Sequence, residues 1–324
     1  MSNLQRQQVT SLNAYWNMTR AKNELNNGVF SAHLKKTIKH RMGYSESVLF
    51  ALTGSDARLE KGIHSDTDLI VIYRNLPLSH VKSVFNLNPK EFDGALRVNM
   101  NNIEYKNFLD SQNGAYSDNG RIYPQRVLEA IPLFGSKEIL DRSKESLVYE
   151  WRDEAYGNKV EEQLNSRAGF FRQIMVTGEK ISEGIPVKSF DLGSGISYYF
   201  GEKNPEGQCA RSFKDGPLQY VQTVLISNVV NFCRNSSEQV ALDIVKNLPG
   251  PVLDKIDFLL DRKISSLSSS QVSDAKGSYI YFLMHYHESE RAYKKDGVEE
   301  LGFDIQEVKE RLNSLVSIFG GKAD

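Results

Sequence analysis

The spacing of hydrophobic positions changes near residue 143, and this change organises the chain. Before it, two short apolar runs bounded by loop residues predict buried strands at 47–53 and 68–73, and a third run predicts an apolar strand at 131–134. A less regular run, ALRVNM at 95–100, predicts one more strand. After residue 143, long amphipathic stretches broken by Gly, Ser and Pro clusters predict a wholly helical region.

Helical spacing also predicts the elements outside the strands. The first forty residues carry apolar side chains three to four positions apart, which predicts helix, and Asn26-Asn27-Gly28 predicts a turn that divides it in two. The segment from Ile103 predicts a helix, and residues 148–183 predict one long helix. The fold class expected is α+β, in three segments: 1–44, 45–142 and 143–324.

The composition excludes some classes of protein but does not identify a function. The 324 residues exceed the roughly 150 of one average domain, and 40% hydrophobic residues exclude a disordered chain. Because 40 Lys and Arg balance 41 Asp and Glu, the whole-domain basic field of a non-specific duplex binder is absent. Cys209 and Cys233 lack metal-site spacing and predict reduced thiols. The polar N-terminus and the lack of about 18 consecutive apolar residues predict a cytoplasmic protein without a membrane partner.

The stretch 54–68, between the first two predicted strands, carries the candidate chemistry. In an extended chain Asp66 and Asp68 project to one side, and two such carboxylates repel unless a cation lies between them. Mg²⁺ (or Mn²⁺) held together with substrate phosphates fits such ligands. Gly54-Ser55 ends a strand and opens a helix, where backbone N–H groups can bind an anion.

This stretch, GSDARLEKGIHSDTDLIVI, resembles the signature of the nucleotidyltransferase superfamily, which includes DNA polymerase β, the aminoglycoside nucleotidyltransferases and the bacterial signal-protein uridylyltransferases. The resemblance implies that Gly54, Ser55, Arg58 and Ser65 bind the nucleotide, and that Asp66 and Asp68 are catalytic metal ligands. The alternative is a solvated acidic turn between strands. For Arg58 and its neighbour Glu60, a structural salt bridge and a functional role remain equally open.

A looser match lies downstream. The segment RSFKDGPLQYVQT resembles the lysine, glycine turn and helix found in the uridylyltransferase and adenylyltransferase branch, although it lacks the second glycine and the aspartate usual after the leucine. The resemblance implies that Lys214 reaches the triphosphate from a helical domain; the alternative is a surface lysine near a helix start. It covers roughly residues 45–142 well and 205–235 loosely. It implies a catalytic domain at 45–142 with a small mixed sheet, and an all-helical domain at 143–324 that closes over the nucleotide. The N-terminal helices, 1–44, carry no matching motif and are expected to pack on the catalytic domain.

Members of this superfamily generally carry a third carboxylate on a later strand. The predicted strand has Asn99 where an acid is expected, and a neutral amide cannot act as a base. Glu104 is the favoured replacement, Asp93 is the second choice, and absence of any acid is a third possibility.

The function implied is a Mg-dependent transfer of a nucleoside monophosphate from an NTP to a hydroxyl of a protein or small molecule. A tRNA acceptor is less favoured because the charge is balanced. The alternative is a nucleotide-binding regulatory module whose active site has degenerated. His285 and His287 lie two apart on a predicted helix, so they face different sides and predict a polar surface rather than a metal site.

Overall fold

The structure is a computed structural model, and it describes residues 3–42, 46–62, 67–74, 98–104, 123–182, 189–191, 197–199, 213–294 and 305–320. The strands in chain order are β1 Val48–Leu52, β2 Thr67–Tyr73, β3 Val98–Glu104, β4 Ile131–Gly135, β5 Ser189–Asp191 and β6 Ser197–Tyr199. The helices are α1 Asn3–Met42, α2 Gly54–Ala57, α3 Tyr123–Glu129, α4 Lys137–Arg152, α5 Glu154–Ser182, α6 Gln219–Asn235, α7 Glu238–Asn247, α8 Val252–Asp261, α9 Ser269–Lys294 and α10 Ile305–Phe319. A π-helical turn, Lys214–Leu218, leads into α6.

Four strands form a mixed sheet in the order β3-β2-β1-β4. Strand β1 runs antiparallel to β2 and β4, whereas β2 and β3 are parallel. Strand β1 is apolar and fully buried, including Phe50 and Leu52, and β2 is apolar and buried from Leu69 to Tyr73, including Val71. A strand that is buried on both faces has a continuous run of apolar residues in its sequence, and this pattern predicted β1 and β2 correctly. The α+β class is therefore confirmed, with a small sheet among many helices.

The buried core is continuous through the three predicted segments. One hydrophobic cluster includes Leu12 and Trp16 of α1, Ile70 of the sheet and Trp151 and Leu225 of the later helices. Helix α1 packs against α9 and β4, and α4 packs against β1. The N-terminal helix is thus part of the core that supports the sheet.

Helix α1 corrects the predicted turn at Asn26-Asn27-Gly28, because it continues without a break from Asn3 to Met42. The polar residues in its middle serve another purpose. Asn23 donates from Nδ2 to the carbonyl of Leu59 at 3.2 Å, and Asn27 donates to that of Asp56 at 2.9 Å. Residues that usually mark a turn instead bind backbone groups of the segment after β1.

Three further boundaries differ from the predictions. Strand β3 continues through Ile103 to Glu104, where the spacing predicted a helix, since pairing with β2 outweighs local periodicity. The predicted helix at 148–183 breaks at Asp153 between α4 and α5. The region after residue 143 also contains the antiparallel pair β5 and β6, so it is mainly rather than wholly helical. None of the helices in the described part of the chain has the length and apolar character that a membrane crossing requires.

Candidate functional site

The two halves of the 54–68 stretch meet at Gly54 and Asp68. Gly54 follows β1 with φ +62°, a conformation that favours glycine, and the N–H of Thr53 donates to the carbonyl of Asp68 at 2.9 Å. A Cβ at Gly54 would lie 2.5 Å from Oδ2 of Asp68. Because glycine has no Cβ, this half-buried carboxylate can lie close to the backbone of residue 54.

A tight turn follows the short helix α2. The N–H of Glu60 donates to the carbonyl of Ser55 at 2.8 Å, and that of Leu59 to the carbonyl of Asp56 at 3.2 Å. This pair of bonds is the usual end of a helix whose next residue is left-handed, and here Leu59, with φ +60°, takes the place of the usual glycine. The side chain of Ser55 is buried inside this turn.

Asp56 and Lys61 hold the loop that connects α2 to β2. Nζ of Lys61 lies 3.1 Å from Oδ1 of Asp56 and also donates to Oγ1 of Thr67. The other oxygen of Asp56 accepts the N–H of Asp68 at 3.3 Å. Burial raises the pKa of Asp56 to about 6 against the opposing attraction of Lys61. This ion pair fixes the start of β2 and therefore the position of Asp68.

Arg58 points into the protein and binds two carboxylates. Its Nε donates to Oε2 of Glu60 and its NH1 to Oε2 of Glu129, each at 2.9 Å. The other oxygen of Glu129 accepts from Nζ of Lys255 at 2.7 Å. Burial alone would raise the pKa of Glu129, but Lys255 and Arg58 outweigh it and hold the pKa below its usual value. Two cations and two anions thus balance in a buried network.

Helices α6 and α9 complete the network around Glu60. Tyr279 donates to Oε1 of Glu60 at 2.7 Å, and Gln222 donates to the hydroxyl of Tyr279 at 2.9 Å. Nε2 of His287 donates to the carbonyl of Glu60 at 2.9 Å, while Nδ1 bonds the hydroxyl of Tyr15 at 2.6 Å. The prediction of a polar surface is therefore wrong for His287, which is buried and joins α9 to α1 and to the turn.

The predicted site residues are only partly brought together. Gly54 and Asp68 are adjacent, whereas Ser65 and Asp66 lie outside the described residues, and so does Asp93. The backbone of Lys214 begins the π-helical turn before α6, and its side chain lies outside the described part. Arg58 pairs with two buried carboxylates, Glu60 and Glu129, which agrees with the alternative that it forms a structural salt bridge.

The pairing register of β2 and β3 shows which residue of β3 lies beside Asp68, where the resemblance implies a third carboxylate. Asp68 pairs with Asn99, while Glu104 pairs with Tyr73, five positions further along the strand. At about 3.3 Å per residue the two backbone positions on β3 are roughly 17 Å apart. This register does not bring Glu104 to Asp68, and a neutral residue occupies the position beside it.

The donor chemistry at Asp68 suits Mg²⁺ bound with phosphates. No hydrogen bond or ion pair to the Asp68 carboxylate is seen among the described residues, whereas Asp56 is held by Lys61. Within the same residues, no group of three or more His, Cys, Asp or Glu side chains could hold a metal ion alone. Mg²⁺ commonly takes one or two carboxylates and completes its shell with phosphates and water. Asp68 together with Asp66 would meet that requirement.

Sequence reasoning missed most members of the buried network. Asp56 and Lys61 lie inside the signature and could have been singled out as a charge pair across the turn. Glu129, Lys255 and Tyr279 carry no local signal, because only the tertiary fold brings them to Arg58 and Glu60. Comparison with protein-family models and with curated proteins finds no match to this chain.

Proposed function

We propose that this protein is a Mg-dependent nucleotidyltransferase that moves a nucleoside monophosphate from an NTP to a hydroxyl group of a protein or small molecule, releasing pyrophosphate. The observation that carries the proposal is the contact between Gly54 and Asp68. The glycine-serine turn after β1 and the second aspartate of the Asp-x-Asp pair, which are 14 positions apart, lie side by side, and Asp68 keeps part of its surface exposed.

Each residue has a defined part in the proposed reaction. Asp68, with Asp66, would hold Mg²⁺, which supplies charge stabilisation at the phosphates. The first N–H groups of α2 have no acceptor within their own helix, so those of Gly54 and Ser55 can donate to a phosphate. The Asp56–Lys61 pair keeps Asp68 in place, and Lys214 is proposed to contact the triphosphate. An acceptor hydroxyl would attack the α-phosphorus as pyrophosphate leaves.

A second candidate function is nucleotide binding without turnover. The observation that favours it is the register that sets Asn99 beside Asp68, because an amide can ligate through its oxygen but cannot take the proton from an attacking hydroxyl. Such a protein would bind Mg-NTP and respond to it, with the same Gly54 and Asp68 contacts and no release of pyrophosphate.

The test uses the full chain and the substitution Asp68→Asn, with Asp274→Asn as a matched control. Asp274 is an exposed helix residue far along the chain, so its loss removes one negative charge without touching the turn. Each protein is incubated with Mg²⁺ and labelled ATP, CTP, GTP or UTP in the presence of cell lysate. We expect transfer of label by the wild type and the control, and loss of transfer in Asp68→Asn.

Calorimetry separates the two candidates. Binding of Mg-NTP that depends on Asp68, without pyrophosphate release on any acceptor, would favour the regulatory module. Absence of any binding that depends on both Mg²⁺ and Asp68 would contradict both functions.

A further inference from the structure

A cavity of about 190 Å³ opens between α1, the residues after Glu60 and the end of α9. Its volume is comparable to that of an engineered cavity of about 150 Å³ that holds benzene in another protein. The polar groups that line it include Lys22 and Asn23 of α1 and Lys61 and Gly62 of the loop, and no carboxylate is among the lining residues that the structure describes. Its size suits a small molecule, and its described lining carries two lysines.

Lys22 supplies the first cation. It is exposed on α1, and no ion pair or hydrogen bond to its ammonium is seen in the described part of the chain. The neighbouring ion pairs of α1 involve Arg20, which binds Glu24 at 2.9 Å and Asp254 at 3.1 Å. The charge of Lys22 is thus available to a ligand in the cavity.

Lys61 supplies the second cation and is already oriented. An ammonium group has three donors, and the Asp56 carboxylate and Thr67 hydroxyl accept two of them. Among the residues that the structure describes, no group accepts the third, which we assign to a ligand. Because only 12% of the Lys61 side chain is exposed, little conformational entropy is lost when it binds.

His287 forms one wall of the cavity. Both ring nitrogens are engaged, one with the Glu60 carbonyl and one with the Tyr15 hydroxyl, so the ring is held in place. A carbonyl oxygen accepts only, which assigns a hydrogen to Nε2. Among the described lining residues, Lys22 and Lys61 are the side chains with the ammonium groups that the proposal uses.

We propose that this cavity binds a compact anion, either a phosphate group or a small dicarboxylate, through Lys22 and Lys61. The inference stands apart from the proposed transferase function, since it uses neither Gly54 nor Asp68. It also predicts a link to that site: Lys61 is shared between the anion and Asp56, and Asp56 accepts the N–H of Asp68. An anion that draws Lys61 toward the cavity weakens one support of strand β2.

The first experiment measures protection of lysines in the wild-type chain. The protein is treated with a limiting amount of an acylating reagent, without Mg²⁺, in the presence of inorganic phosphate, glycerol phosphate or succinate, with chloride of equal ionic strength as the reference. Peptide mass spectrometry then gives the modified fraction of each lysine. We expect protection of Lys22 and not of Lys35, which is exposed on the same helix but outside the cavity. Equal modification of Lys22 with and without all three anions would overturn the proposal.

The second experiment measures affinity by calorimetry with Lys22→Gln and Lys35→Gln. Loss of one partly exposed charge contact should weaken binding of the preferred anion about fivefold in Lys22→Gln and leave Lys35→Gln unchanged. Phosphate and glycerol phosphate binding more tightly than succinate would identify a phosphate ligand, and the reverse order would identify a carboxylate. Equal weakening by both substitutions would show non-specific attraction and refute the site. Binding of Mg-NTP to Lys22→Gln should be unchanged, so failure of the anion site is distinguished from failure of the transferase function.

Discussion

The buried network around Arg58 makes a quantitative prediction about charge balance. Glu129 is bound by Arg58 at 2.9 Å and by Lys255 at 2.7 Å, and all three side chains are almost fully buried. At these distances, and with an effective dielectric constant of about 20, each attraction amounts to about 6 kcal/mol. Much of this offsets the cost of removing the charges from water. Removing one partner leaves its counter-charge buried and unpaired, which typically costs about 3–5 kcal/mol.

Lys255→Met and Glu129→Gln should therefore each lower the free energy of unfolding by about 3–5 kcal/mol. Together they remove one charge of each sign and leave Arg58 paired with Glu60. We expect the double variant to lose about 3–5 kcal/mol as well, so that the coupling energy approaches about 3 kcal/mol. Urea unfolding followed by circular dichroism measures all four proteins, and unchanged m values would show that the same surface unfolds in each.

The control is the same cycle at Lys246 and Glu145, an ion pair that is 39% and 33% exposed. Screening by water should limit its coupling to less than about 1 kcal/mol. Additive effects of Lys255→Met and Glu129→Gln, or single losses no larger than those of the exposed pair, would refute the idea that buried charge balance holds the turn to the helices.

Three further predictions concern stability and are measured by urea unfolding. Gly28→Ala should stabilise the protein by about 1 kcal/mol, because Gly28 lies within a continuous helix and a Cβ there meets nothing within 4 Å. A destabilised variant would instead support a turn at this position. Lys263→Gly should stabilise the protein by about 0.5–1 kcal/mol, because glycine adopts the left-handed conformation at this position more readily than lysine. Leu59 is also left-handed, but Leu59→Gly should destabilise the protein, since the loss of a buried leucine costs about 2 kcal/mol or more. Equal effects of the two substitutions would contradict the burial argument. Burial lowers the pKa of Lys144 to about 8, so Lys144→Met should raise the free energy of unfolding by about 3 kcal/mol below pH 8. This gain should shrink as the pH rises toward 10.5, above which the lysine is uncharged in both states. The exposed Lys159→Met is the control, and a gain independent of pH would contradict the lowered pKa.

The sequence was most informative where local pattern and tertiary environment agree. Strands β1 and β2 were predicted because apolar runs bounded by loop residues fit the centre of a sheet, and the edge strand β4 was predicted from its shorter apolar run. The turn at Gly28 was wrong because the amide groups of Asn23 and Asn27 bind the segment after β1, and no local rule reveals that. The signature named Gly54 and Asp68, which the structure places in contact, and it offered Glu60 as a partner of Arg58. The second partner, Glu129, and the register of Asn99 depend on pairings between distant segments.

The bonds between Glu60 and helix α9 also set an order of events for synthesis of the chain. Tyr279 and His287 leave the ribosome more than 200 residues after Glu60, and Lys255 leaves nearly as late. Until then Glu60 lacks Tyr279 and Glu129 lacks Lys255, so these carboxylates stay in contact with water and the sheet can form only loosely around them. Contacts this distant in sequence are slow to close. We therefore expect nascent chains that end before α9 to hold the turn at 54–60 in a protease-sensitive state, and longer chains to protect it.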